Sequence, residues 1–174
     1  MAAGSWLGSS IASMTRISVV LLVDAHGRVL LQERDEHAPL APEQWGMVGG
    51  HVEDGEDFEP AAYRELEEET GVRLDGGLEL WRAEEFQYPD RDAPFDYRVW
   101  VAATTLTDAD IVVGEGRQIV FVAADAVPGL DRSASCEHFV GEFLTSQTYR
   151  DLVAGLAAEA GRDPPSRSPR DGAG

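Results

Sequence analysis

This sequence predicts a layered sandwich of helices on a sheet, of the α/β/α or α+β kind, and three observations predict it. Short β-branched, apolar segments outnumber helical ones. Helical periodicity is confined to two places, one mid-chain and one near the end. Strands and helices do not alternate as a regular βαβ array requires.

Taken in order, Arg16–Val23 (RISVVLLV) is a β-branched apolar run that suits a buried strand. The turn Ala25–Arg28 joins it to a second strand, Val29–Glu33, giving a hairpin. Arg34–Gln44 is polar and carries Pro, so it reads as a loop. Trp45–Val52 (WGMVGGHV) reads as a short strand with a Gly-Gly break. Asp57–Thr70 is the clearest helix. Leu78–Tyr88 and Phe95–Thr104 are two longer strands joined by the turn-rich PDRDAP. Gln118–Ala123 is a further strand, followed by a short turn or helix over Asp125–Leu130. Phe139–Ala160 is read as a second amphipathic helix.

A length of 174 residues suits one globular domain, expected over residues 15–160. Residues 1–14 read as a flexible extension. Residues 161–174, rich in Pro, Gly, Ser and Arg, read as a disordered tail.

Composition narrows the function classes. No apolar run approaches the roughly 20 residues that span a bilayer, and Met1–Ser13 lacks the basic start of a secretory signal. No membrane association is expected. The only cysteine, Cys136, has no partner for an intrachain disulfide, which fits a cytoplasmic location. The net charge is −18, from 32 acidic and 14 basic residues, and every basic residue is Arg. Such a surface repels a nucleic-acid polymer. It also repels a phosphorylated small molecule, which would need metal ions or a local Arg cluster to bridge it to the protein.

The mid-chain helix has readable ends. Asp57 suits the N-cap, Pro60 the first turn and Gly71 a left-handed C-terminal position. At about 100° per residue, Glu65, Glu68 and Glu69 fall within roughly 100° of arc. Ala62 and Leu66 lie on a neighbouring face and can pack inward. The helix alone leaves two readings open, a solvated acidic face or a cluster of hard oxygen ligands for Mg²⁺ or Mn²⁺. The context favours the second. Gly49-Gly50 ends the preceding strand, where backbone can approach a ligand closely. Glu53, Asp54 and Glu56 enrich the same end of the helix, and Arg64 stands among these acids as an internal counter-charge.

These residues resemble the Nudix box. Gly50, five residues, Glu56, seven residues, Arg64-Glu65-Leu66, one residue, Glu68-Glu69, one residue and Gly71-Val72 agree with its nine defined positions. The approach to the box and the strand after Glu115-Gly116 are also similar, so the resemblance covers about residues 15–160. One departure is Val48, where the family often has Pro before the two glycines; it bears on loop rigidity more than on chemistry.

The resemblance implies an α/β fold, an α/β/α sandwich around a mixed sheet, with the box as loop-helix-loop. It implies cleavage of a nucleoside diphosphate linked to another moiety, by attack of water on phosphorus. Glu65, Glu68 and Glu69 would ligate Mg²⁺ or Mn²⁺ with the carbonyl of Gly49, and Glu65 would be a candidate base. Glu56 and Arg64 would hold the cluster in shape, while Gly50 lets backbone approach the substrate. Homodimers are common in the family, an analogy that leaves the oligomeric state of this chain open.

Outside the box, Glu115 is the candidate for a further acidic ligand or base, with Glu84 and Glu85 as competitors. Arg34 is a candidate phosphate contact. Trp45, Phe86, Tyr88, Tyr97 and Trp100 read as core rather than as base-stacking residues. Tyr88-Pro89 is a two-residue match to some ADP-ribose-cleaving relatives. Two alternatives differ in class. A diphosphate isomerase of the same fold would need a catalytic Cys-Glu pair, for which Cys136 is the only cysteine. A non-catalytic nucleotide-binding regulator would keep the fold without turnover.

Glu68→Gln is expected to abolish most turnover while leaving the fold intact, as read by product release at matched Mg²⁺ and by circular dichroism. Full activity in that variant would remove Glu68 from the site.

Overall fold

A computed structural model describes residues 14–161. The expected extension and tail lie, apart from Met14 and Gly161, outside the described residues. β1 (Thr15–Val23) is continuously apolar from Val19 to Val23 because both of its faces are covered there. Val20 and Leu22 point into one core, whereas Val19, Leu21 and Val23 point into the other.

The remaining strands are β2 (Val29–Glu33), β3 (Trp45–Gly46), β4 (Val48–His51), β5 (Glu79–Phe86), β6 (Phe95–Ala103) and β7 (Gln118–Val122). Together they form one seven-stranded sheet in the order β3-β2-β1-β6-β5, with β4 on β1 and β7 on β2. β1 and β6 pair in parallel and every other pair is antiparallel, so the sheet is mixed. The edge of β1 away from β6 is shared: its first half pairs with β4, while Val23 pairs with Val29 of β2. This fork opens the sheet beside Gly49-Gly50. A cavity there is lined by Arg34, Met47, Gly49, Gly50, Tyr97 and Ser135, among others.

α1 (Phe58–Thr70) covers one face, burying Ala62 and Leu66 against Val20, Leu30, Val48 and Trp100. α2 (Ala134–Thr145) and α3 (Gln147–Ala160) cover the other, burying Phe139, Val140, Phe143 and Leu156. The architecture is therefore the expected three-layer α/β/α sandwich. Val48, the departure from the family pattern, is fully buried under α1, where its side chain contributes apolar packing. Tyr97 and Trp100 are core residues, and Trp45, Phe86 and Tyr88 pack partly buried against the core, as expected.

Two segments differ from the sequence reading. The stretch from Trp45 to Val52 is interrupted at Met47, giving two short strands with different partners. The C-terminal helix begins earlier, at Ala134, and is two helices with a break at Ser146. Ser146 is extended (φ −74°, ψ 161°) and its hydroxyl accepts from Tyr149 N at 3.1 Å. A serine that caps a helix competes with continuation of the helix before it. Apolar periodicity continues across the break, which hides it from a reading by period alone.

Ser146→Ala should cost about 1 kcal/mol through loss of this cap. The expected fall in Tm is roughly 2–4 °C by calorimetry; an unchanged Tm would mean that the break is held by packing alone.

Candidate active site

α1 ends on Gly71, whose left-handed backbone (φ 68°) lets its N–H donate to Glu67 O at 2.8 Å. Asp57 occupies the N-cap position but makes no side-chain cap hydrogen bond. The start of the helix is held differently, by the sheet beneath it.

Arg64 organises the acidic face. Its Nε and Nη2 donate to the two oxygens of Glu56 at 3.0 and 2.9 Å, a bidentate pair. Its Nη1 donates to Glu65 at 2.8 Å and to Glu68 at 3.1 Å, and its Nη2 also reaches the carbonyl of His51 at 3.0 Å. The hydrogen bonds from Arg64 hold the Glu56 carboxyl below the usual carboxylate range. Burial pushes the Glu65 carboxyl up, against the opposing pull of Arg64.

Glu69 is held by β4 rather than by Arg64. It is 7% exposed and accepts a hydrogen bond from Gly49 N at 2.9 Å. Burial pushes its pKa from 4.5 up to about 7; the Gly49 amide opposes the rise, and the nearby Glu65 and Glu115 charges add to it. Of the two glycines of β4, Gly49 is sterically required, and Gly50 sets how close the Glu65 carboxylate comes. Gly49 has φ 128°, and a Cβ there would stand 2.4 Å from Ser18 O. A Cβ on Gly50 would stand 2.7 Å from a Glu65 oxygen. The strand backbone thus lies directly against the helix carboxylates.

The structure brings Glu115 to this cluster from far along the chain. Gly114 N donates to Glu69 O at 2.7 Å and Val112 N to Thr70 O at 2.9 Å, so the loop docks on the end of α1. Gln32 Nε2 holds the Glu115 carbonyl at 3.2 Å. Arg34, just past β2, lies close enough to lower the proton affinity of Glu69. It lines both the cleft beside Glu115 and the cavity under β4. The anchoring roles of Gln32, Val112 and Gly114 were not legible in the sequence, because nothing local marks a backbone group that docks on a distant helix end. Glu84 goes elsewhere: it meets His138 of α2 at 2.9 Å and Arg82 at 3.2 Å. Glu85 is exposed, opposite Asp96 on β6.

The donor set is one of carboxylates and backbone groups, which suits a hard divalent cation. Glu69 in particular is a buried carboxylate whose charge is unfavourable without a nearby cation. As they stand, among the described residues, no three His, Cys, Asp or Glu side chains are gathered closely enough to hold an ion. Arg64 engages Glu65 and Glu68, and the Gly49 amide engages Glu69.

A family model described as the NUDIX domain matches residues 13–135. The chain belongs to the Nudix family. Members of the family use divalent metal ions. An RNA pyrophosphohydrolase of Caulobacter vibrioides is 39% identical over 103 residues, 58% of this chain and 59% of that protein. The chain thus matches 59% of the length of that curated relative. Among solved structures, the dihydroneopterin triphosphate pyrophosphohydrolase of E. coli aligns at 23% identity with TM-score 0.62, over 75% of this chain and 94% of that one. The NUDIX domain of Shewanella oneidensis NrtR, solved with ADP ribose, aligns at 17% identity with TM-score 0.61, over 85% and 88%. Likeness at this level shows the fold.

In this Nudix chain Cys136, in the first turn of α2, is fully buried in the core, and burial pushes its thiol up to about 12. It lies on the sheet face opposite α1 and gives no support to Cys-Glu isomerase chemistry. No helix among the described residues is long and apolar enough to cross a membrane.

The raised pKa of Glu69 carries a sign. The folded chain retains a proton that the unfolded chain releases, so this contribution to stability is present below about pH 4.5 and lost as pH rises through about 7. In chelator at pH 8, Glu69→Gln should therefore be more stable than the parent by on the order of 1–3 kcal/mol, a Tm gain of about 3–8 °C. The difference should vanish on acidification. An equal gap at both pH values would contradict the buried-charge account.

Proposed function

We propose that this chain is a Mg²⁺-dependent hydrolase, with Mn²⁺ as an alternative metal. It cleaves a phosphoanhydride bond of a nucleoside diphosphate linked to another moiety by attack of water on phosphorus. The observation that carries this reading is the set of carboxylates on the second half of α1 beside the two glycines of β4: Gly49 N donates to Glu69, Gly50 lies against Glu65, and Arg64 holds Glu65 and Glu68.

Glu65, Glu68 and Glu69 would hold the metal, with help from the Gly49 carbonyl. Bound there, the metal would neutralise the diphosphate and polarise the attacked phosphoryl group. Glu65 would take the proton of the attacking water; its raised pKa brings it closer to the range suited to a base near neutral pH. Glu115 would complete the acidic set from outside the box. Arg64 and Glu56 would keep the carboxylates at fixed spacing. Arg34, set between the Glu69 side and the cavity under β4, would contact a phosphate, and Gly50 would let that phosphate approach the strand.

A small nucleotide derivative is favoured over a polymer by the charge of −18. The Caulobacter relative's name nevertheless makes an RNA 5′ end the second substrate to test. A panel of dNTPs, ADP-ribose, NADH, diadenosine polyphosphates, sugar nucleotides and 5′-triphosphorylated RNA, read by phosphate or nucleotide release with Mg²⁺ or Mn²⁺, decides between them. Turnover of a small molecule well above that of RNA is expected. Turnover of RNA alone would overturn the small-molecule reading, and no hydrolysis across the panel would favour a binding module.

A further inference from the structure

The N-terminus of α1 is gripped by two strands rather than capped by Asp57. In the parallel β1–β6 pair, Arg16 stands opposite Asp96, Ser18 opposite Arg98 and Val20 opposite Trp100. Ser18 Oγ donates to Phe58 O at 2.6 Å and accepts from the Trp100 indole N–H at 2.9 Å. Arg16 Nη1 donates to the carbonyl of Glu56 at 3.0 Å. The guanidinium groups of Arg16 and Arg98 both lie on the Phe58 ring, 4.3 and 4.4 Å from its centre, and Arg98 also pairs with Asp96.

Two cations on one ring are more than packing requires. An aliphatic side chain would fill the space, and the two guanidinium groups repel each other. The arrangement is favourable because the ring face is electron-rich and Asp96 offsets one of the charges. Its result is to fix Phe58, which opens α1 and stands two residues from Glu56.

We propose that Phe58, held by Arg16 and Arg98, is a positioning residue for the metal-binding carboxylates; this rests on the metal-dependent reading above. The path is short and continuous. Arg16 holds the Glu56 backbone, the Glu56 side chain takes two hydrogen bonds from Arg64, and Arg64 holds Glu65 and Glu68. Through Ser18 the same grip sets the start of the helix that carries Glu65, Glu68 and Glu69. Loosening Phe58 lets the box loop and the helix drift relative to β4, which widens the spread of carboxylate positions.

The test uses the full chain with Mn²⁺ alone as probe, binding being read from the electron paramagnetic resonance of free Mn²⁺. Thermal unfolding in chelator is measured in parallel. Phe58→Leu keeps bulk but removes the ring, and it should weaken Mn²⁺ binding about 10-fold. Phe58→Tyr keeps the ring and should restore binding to within about twofold of the parent. Arg98→Gln, which leaves Phe58 in place, should also weaken binding and carries the test should Phe58→Leu fail to fold. A lowered Tm with parental Mn²⁺ affinity in Phe58→Leu or Arg98→Gln would show a purely structural role and overturn the proposal. So would a Phe58→Tyr variant as weak as Phe58→Leu. Absence of Mn²⁺ binding in the parent chain would instead overturn the metal reading on which the proposal rests.

Discussion

One guanidinium group carries the site. Arg64 engages Glu56, Glu65 and Glu68 and the carbonyl of His51. Carboxylates three and four residues apart on a helix repel one another, and the chain as a whole is strongly acidic. Without a fixed internal cation the acidic face would relax by turning its side chains into solvent. Arg64 instead ties helix to loop through charge-assisted hydrogen bonds, whose planar geometry constrains direction as well as distance.

Glu69 is handled by the opposite means. It is not paired with Arg64 but buried against β4, and the Gly49 amide and the charge of Arg34 offset only part of its desolvation. The site therefore holds two kinds of carboxylate: a set hydrogen-bonded to Arg64, whose single charge offsets only part of theirs, and a buried one whose charge stays costly. That contrast is what makes the arrangement suited to a divalent cation, and it arises from the fork in the sheet. β1 gives up its partner β2 to take β4, and β4 brings two residues without side chains up against the helix.

Most of the elements were legible because each signal is local. The second half of β1, Val19–Val23, reads as an apolar run because both its faces are covered. α1 reads clearly because Asp57, Pro60 and Gly71 mark its ends, although Asp57 makes no side-chain cap bond. The failures have a common cause. The break at Ser146 is a competition between one hydroxyl and the next helical turn, inside an apolar period that continues on both sides. The docking of Val112 and Gly114 on the end of α1 uses backbone groups, which no residue type announces. Glu115 was preferred over Glu84 from its place before a strand, and their neighbours differ accordingly: Glu84 meets His138, while the Glu115 charge acts on Glu69.

By itself, then, the sequence determined the layered fold class and the convergence of Glu65, Glu68 and Glu69, since a 3.6-residue repeat places those side chains together in any helix. It also determined the family, through spacings from Gly50 to Val72 that lie within one loop and one helix. Only the tertiary structure decided which carboxylate is buried, which meets Arg64, and that the loop before Glu115 docks on the end of α1. Those outcomes depend on contacts between segments tens of residues apart, such as Gly49 with Glu69 and Arg16 with Glu56. Desolvation and Coulomb interaction follow distance in space, and distance in space across a forked sheet is not written in local spacing.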